Sequence, residues 1–229
     1  MESYRMAVVK DYIDHTLLKA EATKTQVEKL CKEALDNHFA TVCVNPSYVS
    51  RCVELLTDTD VKVCTVIGFP LGANKISVKR FEAKQAIEDG AKEIDYVLNI
   101  GAVKNGDFTL VENEMNDMAS LKDENPELVV KCIFEICYLS PNEIKKLSKI
   151  ARKTNLDFIK TSTGFGSGGA TEEAVQSMIE NSGENIKVKA SGGIRTLKQF
   201  EVYTKLGVSR VGTSNGVDIV NGTQGLGDY

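Results

Sequence analysis

The 229-residue sequence predicts a single (β/α)8 barrel, and three observations support that expectation. Short β-branched runs alternate with amphipathic helical stretches along the whole chain, the runs number eight, and nearly every run carries a charged or polar residue on one parity. The alternation calls for a parallel sheet with helical crossovers. An open doubly wound sheet would satisfy that requirement as well, so the polar residues decide. Parallel strands are covered on both faces, and a charge inside one is costly unless it is paired or used.

Strands are expected at 11–16, 40–45, 62–67, 93–99, 129–135, 157–162, 186–190 and 209–213. Helices are expected near 24–38, 47–57, 75–89, 108–123, 141–153, 171–181 and 196–205, several of them opened by a cap residue such as Thr23, Ser140 or Thr196. Within the strands the period of two separates the faces. Asp95 and Asn99 oppose Ile94, Tyr96 and Leu98; Asp14 opposes Ile13 and Leu17; Cys43 and Asn45 oppose Val42 and Val44. Lys131 and Glu135 oppose Val130 and Phe134, Lys160 opposes Ile159, and Lys189 lies between Val188 and Ala190. If the apolar parity faces the outer helices, the polar parity points into the barrel, mostly toward the strand C-terminal ends, where barrel enzymes keep their chemistry. Structural ion pairs, Lys131 with Asp95 or Lys189 with Asp14, are the plainer explanation of the same residues.

The length suits one barrel domain spanning 1–229, with a flexible Gly-rich tail at about 222–229. Hydrophobic residues at 42% and charged residues at 26% belong to an ordinary globular chain. A net charge of −4, without any Lys/Arg run, offers little to a nucleic acid, so none is expected as a partner. Met1 to Lys10 shows no signal pattern, and no apolar stretch approaches the roughly 18 residues of a membrane span. The expectation is a soluble, cytoplasmic protein with no membrane partner. Six scattered cysteines without a Cys-x-x-Cys pair do not indicate disulfides. Only His15 and His38 are present, so no imidazole-rich zinc site can be assembled, and no metal is expected.

Phe158 to Gly166 reads as a strand that ends in small hydroxylated residues and a Gly-bearing loop, which puts the Lys160 amine at a mouth. A lysine attacks a carbonyl only when neutral, and at an ordinary pKa about 0.04% is neutral at pH 7. Bringing the pKa to about 7 takes roughly 4 to 5 kcal/mol of destabilisation of the ammonium. Burial supplies part of it. A second ammonium supplies more, and Lys189 is expected at the equivalent depth of the next strand, about 4.8 Å away. Two loops follow, Ser191-Gly192-Gly193-Ile194-Arg195 and Gly212-Thr213-Ser214-Asn215-Gly216, at the positions where barrels hold phosphate. The last eight residues end in Tyr229 and, extended, reach at most about 27 Å, enough to deliver a phenol across the mouth. A frayed terminus explains them equally well.

With these residues in view, the chain from about Tyr12 to Val220 resembles the deoxyribose-phosphate aldolase family. The resemblance rests on Ile13-Asp14-His15-Thr16-Leu17-Leu18, Val42-Cys43-Val44-Asn45-Pro46, Val63 through Gly72, Glu93-Ile94-Asp95, Lys160-Thr161-Ser162-Thr163-Gly164 and Lys189-Ala190-Ser191-Gly192-Gly193, in that order. It implies reversible cleavage of 2-deoxy-D-ribose 5-phosphate to D-glyceraldehyde 3-phosphate and acetaldehyde, with no metal or organic cofactor. On this resemblance Lys160 forms the Schiff base, Lys189 perturbs it, Asp95 moves protons through a water, Asp14 holds Lys189, and Tyr229 assists the proton step. Thr16, Cys43 and Thr163 match substrate-binding positions, and Gly164, Gly192, Gly193, Gly212 and Ser214 match phosphate-binding ones. The chain departs from forms common in the family at Ala20, Ile136, Phe165 and Asn215. A homodimer is the assembly kept in view.

Two other functions fit the residues. One is a Schiff-base barrel acting on a different sugar phosphate, since pocket shape chooses the substrate. The other is a non-catalytic sugar-phosphate-binding barrel, against which the pair Lys160 and Lys189 speaks, because holding phosphate needs no buried amine.

Overall fold

The structure, a computed structural model, describes residues 9–223 and residue 225. Eight parallel strands, β1 Ile13–Leu17, β2 Thr41–Val44, β3 Lys62–Ile67, β4 Glu93–Val97, β5 Val129–Ile133, β6 Phe158–Lys160, β7 Lys187–Ser191 and β8 Arg210–Thr213, pair in sequence order. β8 returns to β1 through Val211 opposite Ile13 and closes the ring, so the expected barrel is the one observed and the open sheet is ruled out.

Helices α1 Lys24–Asn37, α2 Val49–Leu55, α3 Ile76–Glu88, α4 Ile100–Lys104, α5 Phe108–Ala119, α6 Pro141–Ala151, α7 Glu172–Ser182, α8 Leu197–Leu206 and α9 Gly216–Asn221 lie between and after the strands. Thr23, Ser140 and Thr196 each form a reciprocal capping box, with Gln26, Glu143 and Gln199. In α1 the buried side chains are Val27, Leu30, Cys31 and Ala34, a helical stripe turned to the sheet. None of the helices is long and apolar enough to cross a membrane among the described residues.

The boundaries differ where tight turns intervene. The helix expected at 47–57 begins as a 3-10 turn over Pro46–Tyr48, because proline fixes the first turn. The one expected at 108–123 ends at Ala119 and tightens to a 3-10 turn over Ser120–Asp123. β4 stops at Val97, since Asn99 turns out to accept from the Ala102 backbone N–H and cap α4. α4 and α9 are too short to show a helical period and were not anticipated.

The parity of the strands separates two packing environments. Ile94, Tyr96, Leu98, Val130, Phe134, Ile159, Val188 and Ala190 join the large core between sheet and helices. Inside the ring, Leu18, Cys43, Cys64 and Val66 form a small apolar cluster, with Phe69 packed against it. Around β4 to β8 the same parity carries the charged Glu93, Asp95, Lys131, Lys160, Lys189 and Arg210 among the buried apolar Val97, Ile133 and Phe158, with Lys131 Nζ 5.8 Å from the Phe158 ring centre.

Candidate active site

Asp95, in the middle of β4, is fully buried and bonds three lysines from three other strands. Lys131 Nζ on β5 donates to Oδ1 at 2.9 Å, while Lys160 Nζ on β6 and Lys189 Nζ on β7 both donate to Oδ2, at 2.9 and 2.7 Å. Lys160 and Lys189 are direct register partners, as the sequence predicted. Lys189 also pairs with Asp14 on β1. Asp14 in turn accepts from Arg210 Nη1 at 2.5 Å, Arg210 Nη2 reaches Glu93 Oε1 at 3.1 Å, and Glu93 pairs with Lys131. The two ion pairs considered from the sequence, Lys131 with Asp95 and Lys189 with Asp14, are both present, but as parts of one connected set.

This set runs along the barrel axis. Arg210 and Glu93 are the first residues of their strands, whereas Lys160 is the last of β6. The polar residues therefore occupy the lower half as well as the C-terminal end where they were expected. Among the three lysines only the Lys160 side chain is solvent-accessible, at 4%, while Lys131 and Lys189 are at 0%. Among the described residues of the set, the carboxylates Asp14, Glu93 and Asp95 are matched by Lys131, Lys189 and Arg210. Lys160 is the amine without a carboxylate of its own.

The electrostatics follow from this geometry. Burial works to push the Asp95 carboxyl up, but the ammonium groups of Lys131, Lys160 and Lys189 together hold it well below the usual carboxylate range. Asp14 behaves alike: burial opposes ionisation, and Arg210, Lys189 and Lys131 overcome it. Burial would lower Lys189, yet Asp14 and Asp95 hold its ammonium well above the ordinary lysine range. Burial also works against the Lys131 charge, and Asp95, Cys64 and Glu93 raise it. Lys131 and Lys189 are thus fixed cations.

Cys43 and Cys64 are register partners on β2 and β3, and Cys64 Sγ donates to Asp95 Oδ1 at 3.2 Å. Their sulfurs and an Asp95 oxygen lie within 4.8 Å of one another, the only such donor group among the described residues. A divalent ion fits this place poorly, because Asp95 already holds three ammonium groups and Lys131 Nζ stands 3.5 Å from Cys64 Sγ. Burial pushes the Cys64 thiol well up, with the Cys43 hydrogen bond and the Asp95 charge adding to it, so it is not a ready thiolate ligand. Thr16 pairs in register with Cys43, and its hydroxyl donates to the Asp14 carbonyl at 2.8 Å.

The loops after β6, β7 and β8 are stitched together. Thr161 and Ser191 exchange side-chain to backbone bonds, Ser191 Oγ donates to the Ser162 carbonyl at 2.6 Å, and Thr213 Oγ1 donates to the Ile194 carbonyl at 2.7 Å. Gly192 has φ +85°, and a Cβ there would fall 2.8 Å from Gly169 Cα, so only glycine fits. Gly193 faces open space. Gly212 is the register partner of both Asp14 and Ser191, and Ser214 Oγ accepts from Asn215 Nδ2 at 3.2 Å. Gly164 opens the β6 loop at φ +87°. Phe165, in the same loop, packs edge-on against Phe69 of the β3 loop, ring centres 5.3 Å apart.

The structure thus brings Lys160, Lys189, Asp95, Asp14, Cys43 and Thr16 into one interior, with Thr163 and the glycine loops on its C-terminal side. Tyr229 and most of the expected 222–229 tail lie outside the described residues. Sequence reasoning missed Arg210 and Glu93 as members of the ionic set, although each shares parity with a residue it did single out, Gly212 and Asp95. It placed Glu135 on the inward parity without a role; its carboxylate accepts from the Thr163 backbone N–H at 3.0 Å and from the Thr163 hydroxyl.

The DeoC/LacD family aldolase pattern matches residues 8–220. The chain belongs to the DeoC/LacD family of aldolases. Within it, a deoxyribose-phosphate aldolase of Exiguobacterium sibiricum is 51% identical over 218 residues, covering 95% of this chain and 97% of the relative. One of Clostridium tetani is 51% identical over 212 residues, with 93% and 97% covered. A solved deoxyribose phosphate aldolase of Aeropyrum pernix, described as having a unique tetrameric structure, superposes with a TM-score of 0.85 at 31% identity, covering 93% of this chain and 89% of that one. Membership in this family agrees with a closed barrel whose interior presents one lysine, Lys160, to its mouth.

Proposed function

We propose that this chain cleaves 2-deoxy-D-ribose 5-phosphate reversibly to D-glyceraldehyde 3-phosphate and acetaldehyde through a Schiff base on Lys160. The observation that carries the reading is that Lys160, surplus to the charge balance of the buried set, is the lysine of that set that reaches the mouth. The Asp95 carboxylate beside it is already shared by the two sealed lysines, Lys131 and Lys189. The curated relatives at 51% identity act as support for the substrate.

In this reading the Lys160 amine adds to the aldehyde carbon C1 of the open sugar, and loss of water leaves a protonated imine. The C3 hydroxyl gives up its proton, the C3 carbonyl forms, and the C2–C3 bonding pair moves into the imine to leave a neutral enamine in place of a carbanion. Asp95 receives the proton through a water. Because ammonium groups keep its proton affinity low, it passes the proton on to C2 and does not retain it. Hydrolysis of the resulting imine frees acetaldehyde and Lys160. Asp14 keeps Lys189 charged and in place, and Tyr229 assists the proton step at C2. Thr16 and Cys43 line the wall beside the reacting carbons. Backbone N–H groups at Gly164, Gly192, Gly193 and Gly212 receive the phosphate together with Ser214.

No metal or organic cofactor enters this scheme, and the chemistry runs on the chain's own amines and carboxylates. The proposed setting is the cytoplasm and the proposed assembly a homodimer, which sedimentation equilibrium distinguishes from the tetramer described for the Aeropyrum pernix protein. The activity is tested by following acetaldehyde release from 2-deoxy-D-ribose 5-phosphate. Wild type should turn over, and Lys160→Ala should still bind the sugar phosphate but release nothing. Binding without turnover in the wild type would favour the non-catalytic alternative.

A further inference from the structure

Glu135 follows β5, is 2% exposed, and holds a left-handed backbone, φ 56° and ψ 63°, which a non-glycine residue adopts at a cost. Among the described residues its carboxylate meets no cation. Oε1 accepts from the Thr163 N–H at 3.0 Å and Oε2 from the Thr163 hydroxyl, and no other side chain answers the charge. Gly166 lies so close that a Cβ there would come within 3.2 Å of the carboxyl carbon, so the loop is closed down over the group. A buried carboxylate without a cation is expensive. Glutamine has the same shape and would avoid that expense.

The difference between the two residues is the direction of the second bond. A carboxylate only accepts, so it takes both donors of Thr163. The Thr163 hydroxyl also accepts from the Phe165 N–H at 3.0 Å. With its hydrogen committed and one lone pair filled, that hydroxyl has one lone pair left, and can act toward a ligand only as an acceptor. A phosphate dianion is itself an acceptor and cannot use it. A sugar hydroxyl can.

We infer that Glu135 is a positioning residue that sets the polarity of Thr163, making its hydroxyl an acceptor for a hydroxyl of the substrate and leaving the phosphate to the glycine loops. The inference rests on the proposed reaction at Lys160 and adds to it the recognition of the substrate's hydroxylated carbons. Replacement by glutamine inverts the device without changing its shape: Oε1 keeps the Thr163 N–H, Nε2 donates to Oγ1, and the threonine hydrogen is turned outward as a donor.

The test compares a substrate that has hydroxyls with one that has none. Glu135→Gln should trap acetaldehyde on Lys160 under borohydride at a yield within about twofold of wild type, since acetaldehyde offers no hydroxyl to Thr163. The same variant should lose about 10- to 100-fold in kcat/KM for cleavage of 2-deoxy-D-ribose 5-phosphate. In a Thr163→Val background, Glu135→Gln should change cleavage by less than about twofold, because the group it acts through is gone. Unchanged cleavage by Glu135→Gln, an equal loss of trapping and cleavage, or an undiminished effect in the Thr163→Val background would each overturn the inference. The wild-type adduct measured alongside separates the two levels: its absence from Lys160 strikes the Schiff-base reading and this inference with it, while its presence confines any failure to Glu135.

Discussion

Lys160 and Lys189 are register partners on adjacent strands, and their ammonium nitrogens bond the same oxygen of Asp95. One of them is sealed among two carboxylates, and the other stands at the mouth. Lys189 is therefore a permanent neighbouring charge, and its effect on Lys160 is the relationship that the chemistry depends on.

Replacing Lys189 with leucine removes one fixed cation, so that three carboxylates share Lys131, Arg210 and Lys160. Lys160 then becomes the required counter-charge. The expected result is a loss of about 10-fold or more in kcat/KM at pH 7, with activity recovering toward higher pH. An unchanged pH–rate profile would remove Lys189 from the mechanism.

Lys131 shares Asp95 but is fully buried, so its role is to hold the set together. Lys131→Met should destabilise the fold by about 3–5 kcal/mol, because Glu93 and Asp95 lose a buried partner. It should still place the acetaldehyde adduct on Lys160 below the unfolding transition, though more slowly at pH 7, because Lys160 is then drawn into the charge balance as in the Lys189 variant. Urea titration checks the first outcome and trapping the second; full stability together with lost trapping would reverse the assignment.

Stability should form a plateau in pH. Asp14 and Asp95 are held below the ordinary range, so their contribution is present above about pH 4, the unfolded aspartate value, and is lost as the pH falls toward their folded values. Lys131 and Lys189 are held above the ordinary range, so theirs is present below about pH 10.4 and is lost as the pH rises toward their folded values. Urea midpoints from pH 3 to 11 should fall at both ends. Asp95→Asn should lower the plateau and flatten both limbs.

Removal of Tyr229 should slow hydrogen exchange at C2 of the bound aldehyde more than it weakens substrate binding. Deuterium uptake into acetaldehyde reads this directly, and undiminished exchange would leave the terminus without a catalytic role.

Most of the barrel and its inner set was legible because strand parity is a rigid rule. Asp95, Lys131, Lys160 and Lys189 could be placed inward from the identities of their neighbours, and the equal depth of the two lysines followed from the motif positions. What was not legible depends on contacts between distant segments. Glu135 shares the inward parity of Lys131, but it lies past the end of β5, and its left-handed backbone turns the carboxylate onto Thr163. Lys79 and Glu114 form a buried pair between α3 and α5, with Lys79 Nζ on the Val97 carbonyl at 2.7 Å and Glu114 on the Asn99 N–H at 2.8 Å. They secure the end of the strand that carries Asp95, and neither helix's own period reveals the partner. α4 and α9 were missed because five or six residues cannot display a stripe.

The central claim is that the amine of Lys160 bonds the substrate carbon. Incubation with acetaldehyde, reduction with borohydride and peptide mass mapping should find the ethyl group on Lys160 alone. An ethyl group on Lys189 or Lys131, or on no lysine, would contradict the account.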